Sequence, residues 1–333
     1  MKLSVRIRYA DPAALAELVH AAENLEYDGV WVSEPWGVDA GAVLGWCAAN
    51  TRRVLLGTHV VSVFARTAAA TAGLATSLQT LSGGQFRLGL GTSGPQVVEG
   101  WHGTAFLRPV QVTADTIAIV RAAMSGKPLR HDGAVHKVPL PGGAGRPLRS
   151  AWPGDPVDVP IYLGALGPRN QRLTADAADG WTPTPYSPDH HEKFAGPLSH
   201  RLKDNGRSVS VAPVCPVAMG SDVRGLIRLE NGWSALYLGG MGTFYSAAAA
   251  AMGYGEMAAA VRERWQAGDR IGARRAVCAD YADSIGLFGS AARVRTRFDR
   301  YAAAGVDEVV VELRKPDLVD QLDDLRAFRE AVG

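Results

Sequence analysis

Short apolar runs alternate with longer stretches of helical spacing along most of the chain. Leu3–Arg8 reads as a strand, and 12–27 reads as a helix whose apolar face carries Leu15, Leu18, Val19, Ala22 and Leu25. Asp11 ahead of Pro12 predicts an N-cap with proline in the first turn. The rhythm continues with a strand at 29–34, a helix at 40–50, a strand at 54–62, a helix at 67–81 closed by Gly83 and Gly84, a strand at 85–91, and a helix at 109–124 beyond a loop. Residues 128–157 break the pattern. His131-Asp132-Gly133 predicts a hairpin turn, and the glycine- and proline-rich sequence around it predicts an excursion from the main fold. Alternation resumes with a strand at 160–164, a helix at 169–178, a short strand at 180–184 and a helix at 190–205. Strands at 209–219 and 308–313 complete a set of eight, separated by a mostly helical insertion at about 222–305, and 318–332 predicts the last helix.

Eight strands alternating with helices predict the α/β class and a (β/α)8 TIM barrel, with 1–333 as one domain. The competing architecture is a doubly wound sheet. Gly89-Leu90-Gly91-Thr92-Ser93-Gly94 spells GxGxxG directly after a strand. A dinucleotide site needs a helix opening at the third glycine and an acidic residue about 20 residues further on. The glycine-punctuated stretch 95–103 reads as a loop instead, which favours the barrel.

Charge then narrows the function. Thirty-five Lys and Arg against 33 Asp and Glu leave a formal +2 on 333 residues, which gives no electrostatic reason to bind nucleic acid or an acidic membrane. The first 18 residues carry charge at positions 2, 6 and 8 and no apolar core, so no signal peptide is expected. The alanine run 246–252 is far below the roughly 20 residues a membrane span requires. Cys47, Cys215 and Cys278 are scattered and odd in number, which predicts free thiols and a cytoplasmic setting.

In a barrel the active face is built from the segments that follow the strands. Here those are Glu34-Pro35-Trp36-Gly37, Thr58-His59-Val60, Thr92-Ser93-Gly94-Pro95-Gln96 and Gly164-Ala165-Leu166-Gly167-Pro168. One carboxylate, one histidine, a tryptophan and several small residues suit a flat aromatic cofactor better than a metal or a covalent intermediate. Glu34 is a candidate acid or a brace for the next helix. His59 is a candidate site contact and proton donor, with an ordinary pKa suited to that role. Trp36, Gln96, Glu99 and Trp101 are candidate substrate-pocket residues, and Glu99 with His102 is a candidate proton relay or loop brace. His131 and His136 lack a third ligand, so no metal is expected; His190 and His191 read as surface residues, and 262–275 as a solvated basic helix pair. No HExxH or GxSxG motif is present.

The segments QTLSGGQFRLGLGTSGPQVVEGWHG (79–103), DGVWVSEPWG (28–37), LGTHVV (56–61), IYLGALGP (161–168) and YLGGMG (237–242) give the chain a resemblance to the bacterial-luciferase-like superfamily. More closely it resembles the actinobacterial F420-dependent oxidoreductases. The resemblance implies that Ser33, Glu34, Thr58, His59, Val60, Gly91, Thr92, Ser93 and Gly164 to Pro168 hold coenzyme F420, with a non-prolyl cis bond at His59-Val60 under the ring. It further implies hydride transfer from the deazaflavin to an electron-poor C=C, C=N or C=O bond of a small molecule, or the reverse dehydrogenation, with Glu34 or His59 supplying the proton. A homodimer is implied as well. Relatives follow the GGMG sequence with a short basic run, whereas here Thr243-Phe244-Tyr245 follows, so the coenzyme's tail is expected on Arg66 or Arg169. The alternatives are an FMN-dependent two-component monooxygenase and a non-catalytic cofactor-binding paralogue.

Overall fold

Strand β1, Lys2–Ile7, turns Leu3, Val5 and Ile7 to one side and Ser4 and Arg6 to the other, and this two-sided alternation runs through the whole sheet. The computed structural model describes residues 1–8 and 11–333. Its main strands are β1, β2 (Gly29–Val32), β3 (Leu55–Thr58, resuming at Val61–Ser62), β4 (Phe86–Gly91), β5 (Ile161–Leu163), β6 (Gly180–Trp181), β7 (Ser210–Val211, resuming at Val214–Met219) and β8 (Glu308–Leu313). Each pairs in parallel with its neighbour in sequence, and β1 pairs with β8. The two segments of β7 close the ring: Ser210–Val211 lies on β6 and Val214–Met219 on β8. Across the joint, Val214 N donates to Pro183 O at 3.1 Å and Val310 N to Pro213 O at 3.0 Å. The result is a (β/α)8 barrel.

Two cores follow from the alternation. Leu3, Val30, Leu88, Ile161, Val217 and Val309 pack outward against the surrounding helices. Inside the barrel a smaller cluster of Trp31, Tyr162, Ala212, Val214 and Val310 shares the space with charged side chains. Ser4 Oγ and Trp31 Nε1 donate to Glu308 Oε1 at 2.6 and 2.9 Å, and Arg87 pairs with Oε2 of the same carboxylate. Such a buried charge is tolerated because each of its oxygens is occupied.

The helices sit where the periodicity predicts, with Asp11 Oδ1 accepting from Ala13 and Ala14 N at the start of Pro12–Asn24 and Thr67 capping Ala68–Leu81. Gly83 and Gly84 take φ of 65° and 89° after that helix. The expected hairpin forms between His131–Asp132 and Lys137–Val138.

Several expectations are corrected. The stretch 209–219 is not one continuous strand, because Pro213 lacks the N–H that ladder pairing needs, and the strand bends between Val211 and Val214. The stretch 190–205 divides into His191–Phe194 and Gly196–Asn205, since Pro197 cannot donate to the preceding turn. The insertion is mostly helical as expected, with one short strand besides: Leu287–Gly289 pairs in parallel with Val217–Met219. A one-turn helix, Pro95–Val98, does open at Gly94, where a loop was expected. His190 and His191 are half-buried, with their Nδ1 atoms 3.0 Å from Ser187 Oγ and 2.8 Å from Tyr186 Oη. Among the described residues, no helix is long and apolar enough to cross a membrane.

Candidate active site

The local geometry of the site begins with a change of register. Gly57 pairs with Arg87, a difference of 30, whereas Val61 pairs with Leu90, a difference of 29. β3 therefore holds one residue more than β4 between these pairs, which makes a bulge. The bulge contains the His59-Val60 peptide bond, which is cis, at the position the resemblance implies. The Thr58 hydroxyl replaces the lost ladder contact, donating to Gly89 O at 2.9 Å and accepting from Gly89 N at 2.8 Å. Space for the bulge comes from missing side chains. A Cβ on Gly91 would lie 2.5 Å from Val60 Cγ2, one on Gly164 would lie 3.4 Å from Val60 Cγ1, and one on Gly89 would collide with the Thr58 carbonyl. Val60 thus forms a ledge at the C-terminal end of the barrel, above glycines of β4 and the one that follows β5.

His59 is fixed by its neighbours. Arg6 Nη1 lies 3.0 Å from Nδ1, and a guanidinium can only donate, so Nδ1 accepts. Nε2 then carries the proton and faces the Thr182 carbonyl at 3.3 Å. Burial and the adjacent Arg6 charge push the imidazole pKa down to about 3. The ring is therefore neutral at physiological pH with both nitrogens occupied. These contacts favour a positioning role for His59 over the expected proton-donor role, since both ring nitrogens are engaged within the fold.

Glu34 lines the same cavity with both oxygens engaged. Oε1 and Oε2 pair with the two terminal nitrogens of Arg66, the second at 2.7 Å, and Oε2 also accepts from Ala40 N at 3.0 Å. Arg66 Nη2 reaches Asp39 Oδ2 at 2.8 Å, so its guanidinium is already committed. Of the two readings offered for Glu34, these contacts favour the brace for the start of helix Ala40–Asn50. Arg66, expected to take the cofactor tail, lines the cavity with both terminal nitrogens paired to carboxylates. Arg169 is exposed and holds no ion pair among the described residues.

The ledge faces a cavity of about 790 Å³. Of the sequence-predicted residues, Ser33, Glu34, Trp36, His59, Val60, Arg66, Ser93, Trp101, His102, Gly164 and Leu166 line it. Ser93 has a φ of 55°, a left-handed conformation that costs a non-glycine residue about 1–2 kcal/mol. Thr58, Gly89 and Gly91 act beneath the lining, building the bulge. Thr92, Ala165, Gly167 and Pro168 do not line the cavity: Ala165 O accepts from Trp181 Nε1 at 2.7 Å, and Gly167 caps helix Pro168–Ala177 without a side-chain bond. Gln96 and Glu99 are also outside it. Glu99 Oε1 accepts from Phe106 N at 3.0 Å, so of the two readings offered for Glu99 the loop brace is the one the structure shows.

Sequence reasoning missed the far wall. Arg6, Arg8, Glu312, Trp233, Tyr237 and Tyr245 also line the cavity. Burial opposes ionisation of Glu312, but Arg314, Arg6 and Arg8 outweigh it and hold the carboxyl well below its ordinary range. The phenols of Tyr237 and Tyr245 are pushed up by burial. The alternation of Leu3, Val5 and Ile7 with Ser4, Arg6 and Arg8 was a legible signal that charge enters the barrel.

Comparison with known proteins gives a family. The luciferase-like monooxygenase family model matches residues 3–308. A candidate coenzyme F420-dependent oxidoreductase of Mycobacterium tuberculosis is 35% identical, over 98% of this chain and 99% of the relative. Among solved structures, the coenzyme F420-dependent tetrahydromethanopterin reductase of Methanopyrus kandleri superposes with a TM-score of 0.83 at 21% identity, covering 100% of this chain and 99% of that one. An F420-dependent secondary alcohol dehydrogenase, solved with an F420–acetone adduct, gives 0.77 at 16% identity over 99% and 98%. These two likenesses concern the fold.

Proposed function

We propose that this chain, which belongs to the luciferase-like monooxygenase family, is an F420-dependent oxidoreductase acting on a small molecule. The reaction we assign is hydride transfer to an electron-poor C=C, C=N or C=O bond, or the reverse dehydrogenation. The observation that carries the reading is the Val60 ledge: a bulged strand over glycines at 89, 91 and 164 leaves a floor that a flat ring system can approach closely. Reduced coenzyme F420 supplies the hydride from its ring when bound.

The residues present fit that coenzyme. Val60 would support the ring, Ser93, Gly94 and Gly164 would border it, and Leu166 would flank the chain leading to the phosphate. Gly167 carries no side-chain cap, so the N–H groups of Arg169 and Asn170 at the start of helix Pro168–Ala177 are available to a phosphate. Arg169, exposed in the first turn of that helix, is the cation we assign to the coenzyme's tail.

The protein's own part is orientation. His59, locked between Arg6 and Thr182, keeps the bulge in place; the Glu34–Arg66–Asp39 bridge holds the 34–39 segment across the opening. Among the proton donors lining the cavity are the hydroxyls of Tyr237 and Tyr245, which burial keeps protonated. A fluorescence titration of the protein with F420, beside FMN in the same buffer, tests the reading. Saturable F420 binding at micromolar concentrations or below with no FMN binding is expected; the reverse selectivity refutes it.

A further inference from the structure

Five charged side chains meet where β1 and β8 end: Arg6, Arg8 and Arg314 against Glu230 and Glu312. Both carboxylates are saturated. Glu312 takes Arg6 Nη2 and Arg8 Nε, with Arg314 Nη1 at 2.7 Å; Glu230 takes Arg314 Nε, with Ser234 Oγ at 2.8 Å. The second terminal nitrogen of Arg6 is spent on His59, which is neutral. Three cations therefore face two anions, and the uncompensated charge falls on Arg8. Its side chain is 52% exposed on the cavity wall, anchored through Nε alone, and its two terminal nitrogens have no acceptor among the described residues.

The surface beside Arg8 is aromatic. Trp233 stacks on Tyr237 at 4.1 Å between ring centroids, and Tyr245 packs edge-on against Tyr237 at 4.7 Å. The Trp233 indole N–H and the Tyr237 and Tyr245 hydroxyls also lack partners among the described residues, and all three side chains line the cavity. The unpartnered groups of this wall thus offer donors and one positive charge, and no carboxylate with a free oxygen. This side of the barrel lies opposite β5, where the cofactor's phosphate is assigned above.

We propose that Arg8, with Trp233, Tyr237 and Tyr245, forms a substrate subsite for an organic acid: a flat apolar body against the cavity side of the aromatic cluster and a carboxylate on the guanidinium fork. The geometry suits the fork, because Nε holds Glu312 while the two terminal nitrogens can meet both oxygens of a carboxylate. The proposal rests on the oxidoreductase reading for what happens to the acid, but not for its binding. The shared chemistry, a carboxylate, is also present on the cofactor's glutamyl tail, so the test must separate the two.

Calorimetric titration of the wild-type protein with benzoate and with benzamide, with and without F420, supplies that test when repeated on Arg8→Gln and Arg8→Lys. Benzoate is expected to bind at least 10-fold more tightly than benzamide, by about the worth of a charge-assisted hydrogen-bonded pair. Arg8→Gln should weaken benzoate by about 10- to 100-fold and leave F420 and benzamide affinity within about twofold. Arg8→Lys keeps a cation beside Glu312 and guards against a folding defect; it should give an intermediate loss, since the fork is gone. Equal affinity for benzoate and benzamide overturns the proposal, as does a benzoate affinity unchanged in Arg8→Gln. A loss of F420 affinity in Arg8→Gln would assign the arginine to the cofactor's tail and overturn it too. Absence of F420 binding in the wild type, with benzoate still selected through Arg8, would sink the oxidoreductase reading and leave the subsite standing.

Discussion

The neutral, doubly occupied His59 makes a quantitative prediction about pH. Burial and Arg6 hold its pKa near 3 in the folded chain, against 6.5 for an ordinary imidazole. Below pH 6.5 the unfolded chain takes up a proton that the folded chain refuses, so this residue's contribution to stability is lost as pH falls. Between pH 7.5 and 5.0 the loss comes to about 2 kcal/mol, using about 1.4 kcal/mol per pKa unit. That figure depends on the unfolded value alone, because at pH 5.0 the folded group is still well above its own pKa. Glu312 behaves the same way in a different window: its folded pKa is depressed, so its contribution fades only below about pH 4.5 and adds little here. Replacing His59 with Asn keeps an acceptor for Arg6 near the Nδ1 position and removes the titration. Urea unfolding of wild type and His59→Asn at both pH values isolates the effect, since the other seven of the chain's eight histidines are common to both proteins. The wild type should lose about 2 kcal/mol more than the variant on acidification. An equal loss in the two proteins means that His59 titrates normally, and the assignment of its tautomer is wrong. The same reasoning predicts that kcat/KM between pH 5.5 and 8 shows no limb that His59→Asn removes.

Further consequences concern the ledge, the brace and the thiols. Gly91→Ala places a Cβ 2.5 Å from Val60 Cγ2, which should cost about 1–3 kcal/mol by overpacking and lower F420 affinity by more than 10-fold; thermal unfolding and fluorescence titration measure the two. Glu34→Gln removes the charge facing Arg66, and a fall in thermal stability is expected with kcat retained within about 10-fold; a drop of 100-fold or more at unchanged cofactor affinity would restore Glu34 as the acid. Burial pushes the Cys47 and Cys215 thiols up to about 12, so a thiol reagent at pH 8 should label only the half-buried Cys278 before the protein unfolds; mass spectrometry of the labelled peptides checks this.

Much of the barrel was legible because its signals are local. Strand β1 and helix Ala40–Asn50 are set by periodicity and caps within a dozen residues, and their observed limits fall on the expected ones or within a residue of them. The misses have local causes of a different kind. Pro213 and Pro197 interrupt elements whose apolar pattern runs straight through them, so periodicity overruled a missing N–H. The site was legible where a segment ends a strand, and opaque where function depends on partners distant in sequence. Glu34 as a brace needs Arg66, 32 residues away, and the state of His59 needs Arg6 and Thr182, at separations of 53 and 123. The charged wall had a readable trace: Glu308 and Glu312 stand four apart in one strand, and Ser4, Arg6 and Arg8 interleave with apolar residues. Only the register of β1 on β8 says that these two sets meet.

That meeting explains why charge is kept at the centre of a folded barrel. A buried ion pair is seldom stabilising against an apolar replacement, and its retention calls for another role. In the lower layer, Glu308 gathers Ser4, Trp31 and Arg87 from three other strands and ties the ring together. In the upper layer the same logic is left incomplete. Arg6 is spent between Glu312 and His59, which ties the bulged β3 to β1 and β8 inside the barrel, while Arg8 is held by one nitrogen and half exposed. Removing Glu312 would leave three guanidinium groups facing one carboxylate, so the network depends on that carboxylate, yet it already carries one positive charge more than its carboxylates balance. An arrangement that gives Arg6 and Arg314 carboxylate partners through their buried side chains and leaves the two terminal nitrogens of Arg8 open is what a site shaped for an incoming anion requires, and the neutral ledge on β3 is what a flat cofactor requires. The two demands are met at two places on one ring, after β1 and on β3, joined by the contact between Arg6 and His59.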